Sequence, residues 1–259
     1  MRLTLSALLL AALSPLGMQA QDYTPDTNRY GQPDFSGIWQ VLDTSAHYNI
    51  EPHNARYGIP AGTGIITSPE SGLIPYNANG LAQREANRAN LAADPIARCF
   101  KPGVPHMMYM PFPLQIVQSE HFLIIMSEYV HNTRIILLNR EDHFGEGELD
   151  LWNGDSVGRY EDGALVTDVF NFHPDSWLDR SGNHAGGFTL RVNERFTLID
   201  KDTIRYEATL TDPEDFTQPW TITTYLYRHK DPEKRLLEYE CHAYADNALG
   251  PPELPEVAE

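Results

Sequence analysis

The sequence predicts a mainly β protein with one antiparallel domain, and three observations predict it. Hydrophobicity alternates with period two from residue 112 onward, turn-forming residues separate the runs at short intervals, and one stretch alone carries a helical pattern. Successive hairpins without intervening helices favour antiparallel pairing, hence a barrel or a sandwich.

Residues 1–20 read as a signal peptide cut near Ala20. Arg2 precedes an apolar run from Leu3 to Leu13, and Met18-Gln-Ala20 ends in a small residue. No later segment reaches the roughly 18 consecutive apolar residues of a membrane helix. Phe122-Leu-Ile-Ile-Met126 has strand length. Residues 21–110 form an irregular arm, whose stretch 21–76 is rich in Pro, Gly, Asn and Asp. Within it Phe35-Ser-Gly-Ile-Trp-Gln-Val41 alternates as a strand, and 78–92 is a helix capped by Asn77 and stopped at Asp94-Pro95.

Residues 111–245 hold the β domain, with strands expected at 113–119, 121–129, 132–139, 156–160, 164–171, 187–198, 203–210, 219–228 and 235–243. Turn signals such as Glu161-Asp-Gly163 and Asp200-Lys-Asp202 join them. Eight or nine such strands, once closed, enclose a ligand-sized interior, as in a calycin- or lipocalin-like barrel. The tail 246–259 is acidic and proline-rich and is expected to be disordered.

The chain carries 19 bases and 36 acids; losing residues 1–20 leaves 18 bases against 36 acids, a net charge of −18. Such a surface repels nucleic acid and anionic lipid and favours solubility. Cys99 and Cys241 are the two cysteines. In an oxidising compartment they have one possible pairing, a disulfide tying the arm to the last strand. Two buried free thiols are the alternative.

Parity along the strands points to buried chemistry, because side chains two apart share a face. Glu194 shares a face with Phe188, Leu190, Val192 and Phe196, and Glu128 with Phe122, Ile124 and Met126. Two inward carboxylates are costly unless paired or protonated. They read either as cavity acids or as partners of buried arginines, and Glu128, at a strand end, also as reaching water. Among the ten histidines, His131, His184 and His242 stand at strand ends or in loops that could meet a barrel mouth. The long connection Asn171 to Gly187 holds Trp177, two Asp and two His, the content of a pocket wall with a catalytic group. In the alternative it is a structural loop in which Asp175 or Asp179 caps a turn. The chain has no local metal-ligand spacing, phosphate loop or dinucleotide fingerprint, and Gly154-Asp-Ser156 is not in itself a serine-nucleophile signal.

Several blocks are familiar as a set: Pro33-Asp-Phe-Ser-Gly-Ile-Trp39, Asp94-Pro-Ile-Ala-Arg-Cys99, Glu128-Tyr-Val-His-Asn-Thr-Arg134, Gly154-Asp-Ser-Val-Gly-Arg159, Trp177-Leu-Asp-Arg180, Glu194-Arg-Phe196 and Glu238-Tyr-Glu-Cys-His242. Together they resemble a family of secreted bacterial proteins of unassigned function. The resemblance implies no activity, but it marks Glu128, His131, Arg134, Asp155, Trp177, Asp179, Glu194 and His242. The chain departs from the family after Gly182, where Asn183-His-Ala-Gly-Gly187 replaces a His-Ser-Glu run and His184 is the nearest match to the imidazole.

The expected function is that of a secreted enzyme moving protons on a small, partly apolar molecule in a barrel cavity, as a lyase, isomerase or hydratase without a cofactor. His131 or His242 would be the base, Asp179 or Glu194 the orienter or acid, Arg134 the anion clamp and Trp177 the wall, with His184 as a further catalytic candidate and Glu128 and Asp155 as further binding groups. A ligand-binding protein without turnover is one alternative. A metal site built from His131, His184, His242 and a carboxylate is another. The partner is a small molecule, without nucleic acid or membrane insertion, and the oligomeric state is left open.

Overall fold

Among the described residues, period-two alternation resolves into ten strands: β1 (Gly37–Gln40), β2 (Ile66–Ser68), β3 (Leu114–Gln118), β4 (Phe122–Ser127), β5 (Thr133–Leu137), β6 (Asp155–Glu161), β7 (Ala164–Phe170), β8 (Arg191–Asp200), β9 (Thr203–Thr211) and β10 (Trp220–Arg228). The computed structural model describes residues 23–145 and 149–242. The expected signal peptide and acidic tail lie outside these residues.

The sheet order is β1-β3-β4-β5-β6-β7-β8-β9-β10, and β10 pairs back to β1 through Trp39↔Arg228 and Gln40↔Tyr227, which closes a nine-stranded barrel; β2 adds to β10 outside the ring. Three details differ from the sequence reading. The strand in the arm, β1, is a barrel stave, so the β domain does not begin at 111. Of the strand expected at 235–243, the described residues 235–242 form no strand and make only an isolated bridge, Tyr129↔Tyr239. The barrel is not wholly antiparallel, because β5 and β6 pair parallel at Ile136↔Ser156 and Leu137↔Val157. Parallel neighbours need a crossover rather than a hairpin, and residues 138–154 supply it.

Among the described residues, buried side chains occupy the barrel interior. Trp39, Leu114, Ile125, Ile136, Phe196, Tyr206, Trp220 and Ile222 are among the fully buried side chains of one continuous core. In β4 the inward residues are Leu123, Ile125 and Ser127, while Phe122 is exposed and Ile124 and Met126 are partly so. That reverses the expected parity and turns Glu128 away from the interior. The cause is that β4 is apolar on both faces, so alternation does not choose between them. On the outer face Ile124 stands opposite Val117 and Ile135.

The chain between β1 and β3 gathers over one barrel end with the β7–β8 and β9–β10 loops. It contains α1 (Ser45–Tyr48), α2 (Ala78–Ala89) and three short 3-10 turns. The cap is tied down by Ile50 N donating to Asp179 Oδ2 (2.9 Å), Tyr109 Oη to the Leu178 carbonyl (2.7 Å) and Asn77 N to the Asp215 carbonyl (2.8 Å). Cys99 and Cys241 are disulfide-bonded, with Cα atoms 5.6 Å apart, joining the cap to the segment after β10. Among the described residues no helix is long and apolar enough to cross a membrane.

Candidate active site

Helix α2 starts where Asn77 caps it, its side chain accepting from Asn79 N (2.8 Å) and Gly80 N (3.1 Å). The same turn is pressed on the β9–β10 loop. A Cβ on Gly80 would stand 2.4 Å from Tyr76 Cδ1 and 2.5 Å from the Asp215 carbonyl oxygen, so only glycine fits. Gly80→Ala is expected to cost about 1–3 kcal/mol by forcing helix and loop apart, measured by urea unfolding, and to shift the Asp215 backbone resonances.

That loop presents Asp215 to His184. The imidazole Nε2 lies 3.1 Å from Asp215 Oδ2, and Asn79 Nδ2 holds the other carboxylate oxygen at 2.9 Å. Tyr76 fixes the ring from below. Its hydroxyl accepts from His184 N and donates to the His184 carbonyl, both at 2.7 Å, and the two rings stack at 5.2 Å and 8°. With Asp215 accepting, the ring proton sits on Nε2 and Nδ1 keeps a lone pair. Nδ1 is buried and finds no hydrogen-bond partner among the described residues. Burial lowers the His184 pKa below the ordinary histidine value; Asp215 pulls it up and Arg84 pushes it down. The ring is therefore neutral in neutral water. His184 and Asp215 line a cleft of about 920 Å³ with Trp177, Phe100, Trp152 and the α2 side chains Asn79, Gln83 and Asn87.

Of the residues the sequence marks, Trp177 and His184 meet here and the others do not. Glu194 lies inside the barrel, clasped by Arg134: Nη1 donates to Oε1 at 2.9 Å and Nη2 to Oε2, while Thr167 (2.5 Å) and Tyr206 (2.8 Å) donate to the same carboxylate. Arg134 is thereby spent on a core ion pair and is not an anion clamp. Glu128 accepts from Leu237 N at 2.8 Å. Asp155 holds His143 Nδ1 at 3.0 Å, and Asp168 holds its Nε2 at 3.0 Å, which pins the chain at His143 to β6 and β7.

His131 is half-exposed and pairs with Glu240 at 2.8 Å. It shares a separate hollow with His242 beside the disulfide. The three histidines of the metal alternative do not converge, and no group of three His, Cys, Asp or Glu among the described residues is arranged to hold a metal. Residues 154–158 do spell Gly-Asp-Ser-Val-Gly, the letters of a nucleophile elbow, but Ser156 is buried within β6 and accepts from Arg134 Nε at 3.0 Å. An elbow needs a strand-to-helix turn that exposes the hydroxyl.

Asp179 is wholly buried in the cap and serves as the knot of the 177–184 loop. It accepts from Ile50 N, Asn183 Nδ2, Ser181 N and Ser181 Oγ at 2.8–2.9 Å. Burial raises its pKa to about 6 against the pull of those donors. Nearby, His47 Nδ1 and His106 Nε2 lie 3.0 Å apart and His106 Nδ1 donates to the Trp177 carbonyl at 3.0 Å, a buried pair behind the cleft wall. Burial, then Arg180, lowers His47 to about 4.

The two shifts act on stability with opposite sign. As pH falls from 6.5 toward 4 the unfolded chain protonates at His47 before the folded chain does, and about 3 kcal/mol is lost. Asp179 is protonated first in the folded state, so over pH 6 to 3.8 it returns a similar amount. His47→Asn keeps a donor for His106 but removes the titration. Urea unfolding between pH 6.5 and 4 is expected to show this variant losing about 3 kcal/mol less than the wild type.

Asp215, Tyr76, His143 and the His47–His106 pair were missed in the sequence. One signal was present: Asn79, Gln83 and Asn87 recur every four residues on an alanine-rich helix, which places three amides on one face. No protein-family model and no curated protein matches the chain.

Proposed function

We propose that this protein is an exported enzyme that moves a proton on a small, partly apolar organic molecule, with His184 as the base. The observation that carries the reading is a buried imidazole tied at Nε2 to Asp215, with Nδ1 unpartnered, in a cleft walled by Trp177. Nδ1 takes a proton from a substrate C–H or O–H, and Asp215 stabilises the imidazolium that forms. Returned to another carbon, that proton completes an isomerisation; delivered to a departing hydroxyl, it completes an elimination that releases water, and the reverse, with Nδ1 taking a proton from water as the water adds, is a hydration. The catalysis thus lies at the capped end, outside the barrel. Export rests on the expected signal peptide and on a disulfide that persists in oxidising compartments. Membership in the secreted bacterial family rests on the sequence blocks, and calycin kinship on the closed barrel.

A binding protein without turnover is the second reading. It is favoured by one observation, that of the five candidate acid or base residues only His184 reaches the cleft.

One experiment separates the two. Wild-type protein and His184→Ala are incubated in D2O with the small-molecule extract of the host and followed by proton NMR. The expected result is a signal lost to deuterium or converted by the wild type, and slowed about 10²–10⁴-fold in the variant. Equal behaviour of both proteins would remove the enzyme reading. The rate is also expected to fall on the acid side, below the ordinary histidine pKa, as the ring takes up its second proton.

A further inference from the structure

We infer that the His184 cleft takes a neutral carbohydrate, several sugar units long. This rests on that cleft being the working site, and it assigns to the site a larger and more polar ligand than the small, partly apolar molecule of the proposed function.

The two walls differ in chemistry. One is the amide ladder of α2, Asn79, Gln83 and Asn87. Asn79 and Gln83 spend their amide nitrogens on Asp215 and Asn87, and their carbonyl oxygens accept from no described residue. The other wall is apolar, formed by Trp177 and by Phe188, which stands 53 % exposed on the β7–β8 loop. A sugar ring has the matching division: its C–H face lies on an aromatic ring and its hydroxyls meet planar amides and carboxylates. His184, whose buried Nδ1 is an acceptor without a donor among the described residues, borders the same cleft.

Charge narrows the class. Asp175, Glu214 and Asp215 line the cleft against one cation, Arg98, whose guanidinium already stands over Phe100 at 5.5 Å. An anionic sugar meets repulsion there. Length follows from continuity: Phe100 and Trp152 border both this cleft and the hollow of about 300 Å³ that holds His131 and His242. Their rings stack at 5.0 Å, and Trp152 stacks on His173 at 4.1 Å. That stacked column forms a sill between the hollows, and a chain of sugars crosses it.

The test is a binding titration, read by tryptophan fluorescence and native mass spectrometry, of the full chain and three variants, Gln83→Ala, Phe188→Ala and His184→Ala. The probes are neutral hexasaccharides of β-1,4-glucan, β-1,4-xylan, β-1,4-mannan, α-1,4-glucan and chitin, with hexagalacturonate and a chitosan hexamer as charged controls. At least one neutral hexasaccharide is expected to bind more tightly than its monomer. Gln83→Ala and Phe188→Ala, both surface changes, are each expected to weaken it about tenfold. No binding by any neutral hexasaccharide, tighter binding of a charged control, or unchanged affinity in both surface variants overturns the inference. His184→Ala keeps the two ideas apart. If it still binds the hexasaccharide while the wild type transfers no proton, the carbohydrate site stands and the enzyme reading fails.

Discussion

Arg134→Met is expected to cost about 3–5 kcal/mol of folding stability, because it leaves the Glu194 carboxylate buried without its cation. Glu194 is 1 % exposed and takes four hydrogen bonds, two of them from the Arg134 guanidinium. Thr167 and Tyr206 remain in the variant, but neutral donors do not offset a stranded charge in the middle of the barrel. The double variant Arg134→Met with Glu194→Leu removes both charges and is expected to recover much of the loss. Urea unfolding of the single and double variants measures both. A loss under about 1 kcal/mol in the single variant would show that water reaches the pair and that the interior is not closed as described.

The second large effect is expected at the disulfide. Cys99 and Cys241 are separated by 142 positions, and a crosslink closing so long a loop removes about 4–5 kcal/mol of unfolded-chain entropy. Cys99→Ser with Cys241→Ser is expected to lower stability by about that amount. It also releases the segment after β10, which otherwise lies by Tyr239 against Tyr129 and Phe112. Unfolding in urea reads the first effect, and amide exchange at Tyr239 and Glu240 the second. If exchange there is unchanged in the variant, the aromatic packing holds the segment without the bond.

How much of this was legible in the sequence follows from how each feature is encoded. Strands β3 to β10 were readable because alternation and turn residues are local, and β8 was readable even to its inward face, since Val192, Glu194 and Phe196 alternate with polar residues. β4 was not, because both its faces are apolar and only its neighbours decide which turns in. The parallel β5–β6 pair was hidden because a crossover without a helix looks, in sequence, like a long loop. Cys99–Cys241 was readable by count alone. The cleft was only half legible. His184 and Trp177 stood out in a loop of unusual content, whereas Asp215 sits in a run that reads as a turn, Asp212-Pro-Glu-Asp215, and reaches His184 only because Gly80 lets α2 close on that turn. Glu194 was found as an inward carboxylate and Asp179 as a loop carboxylate that either serves a pocket or caps a turn, but neither reading says whether the partner is a substrate, an arginine or a set of backbone amides.

The central claim is the state of one imidazole, and nitrogen-15 NMR of the His184 ring in the wild-type protein at pH 7 reads it directly. The account predicts a neutral ring, protonated at Nε2 and bare at Nδ1, that titrates below the ordinary histidine pKa of about 6.5. A ring charged at pH 7, or one carrying its proton on Nδ1, would contradict it.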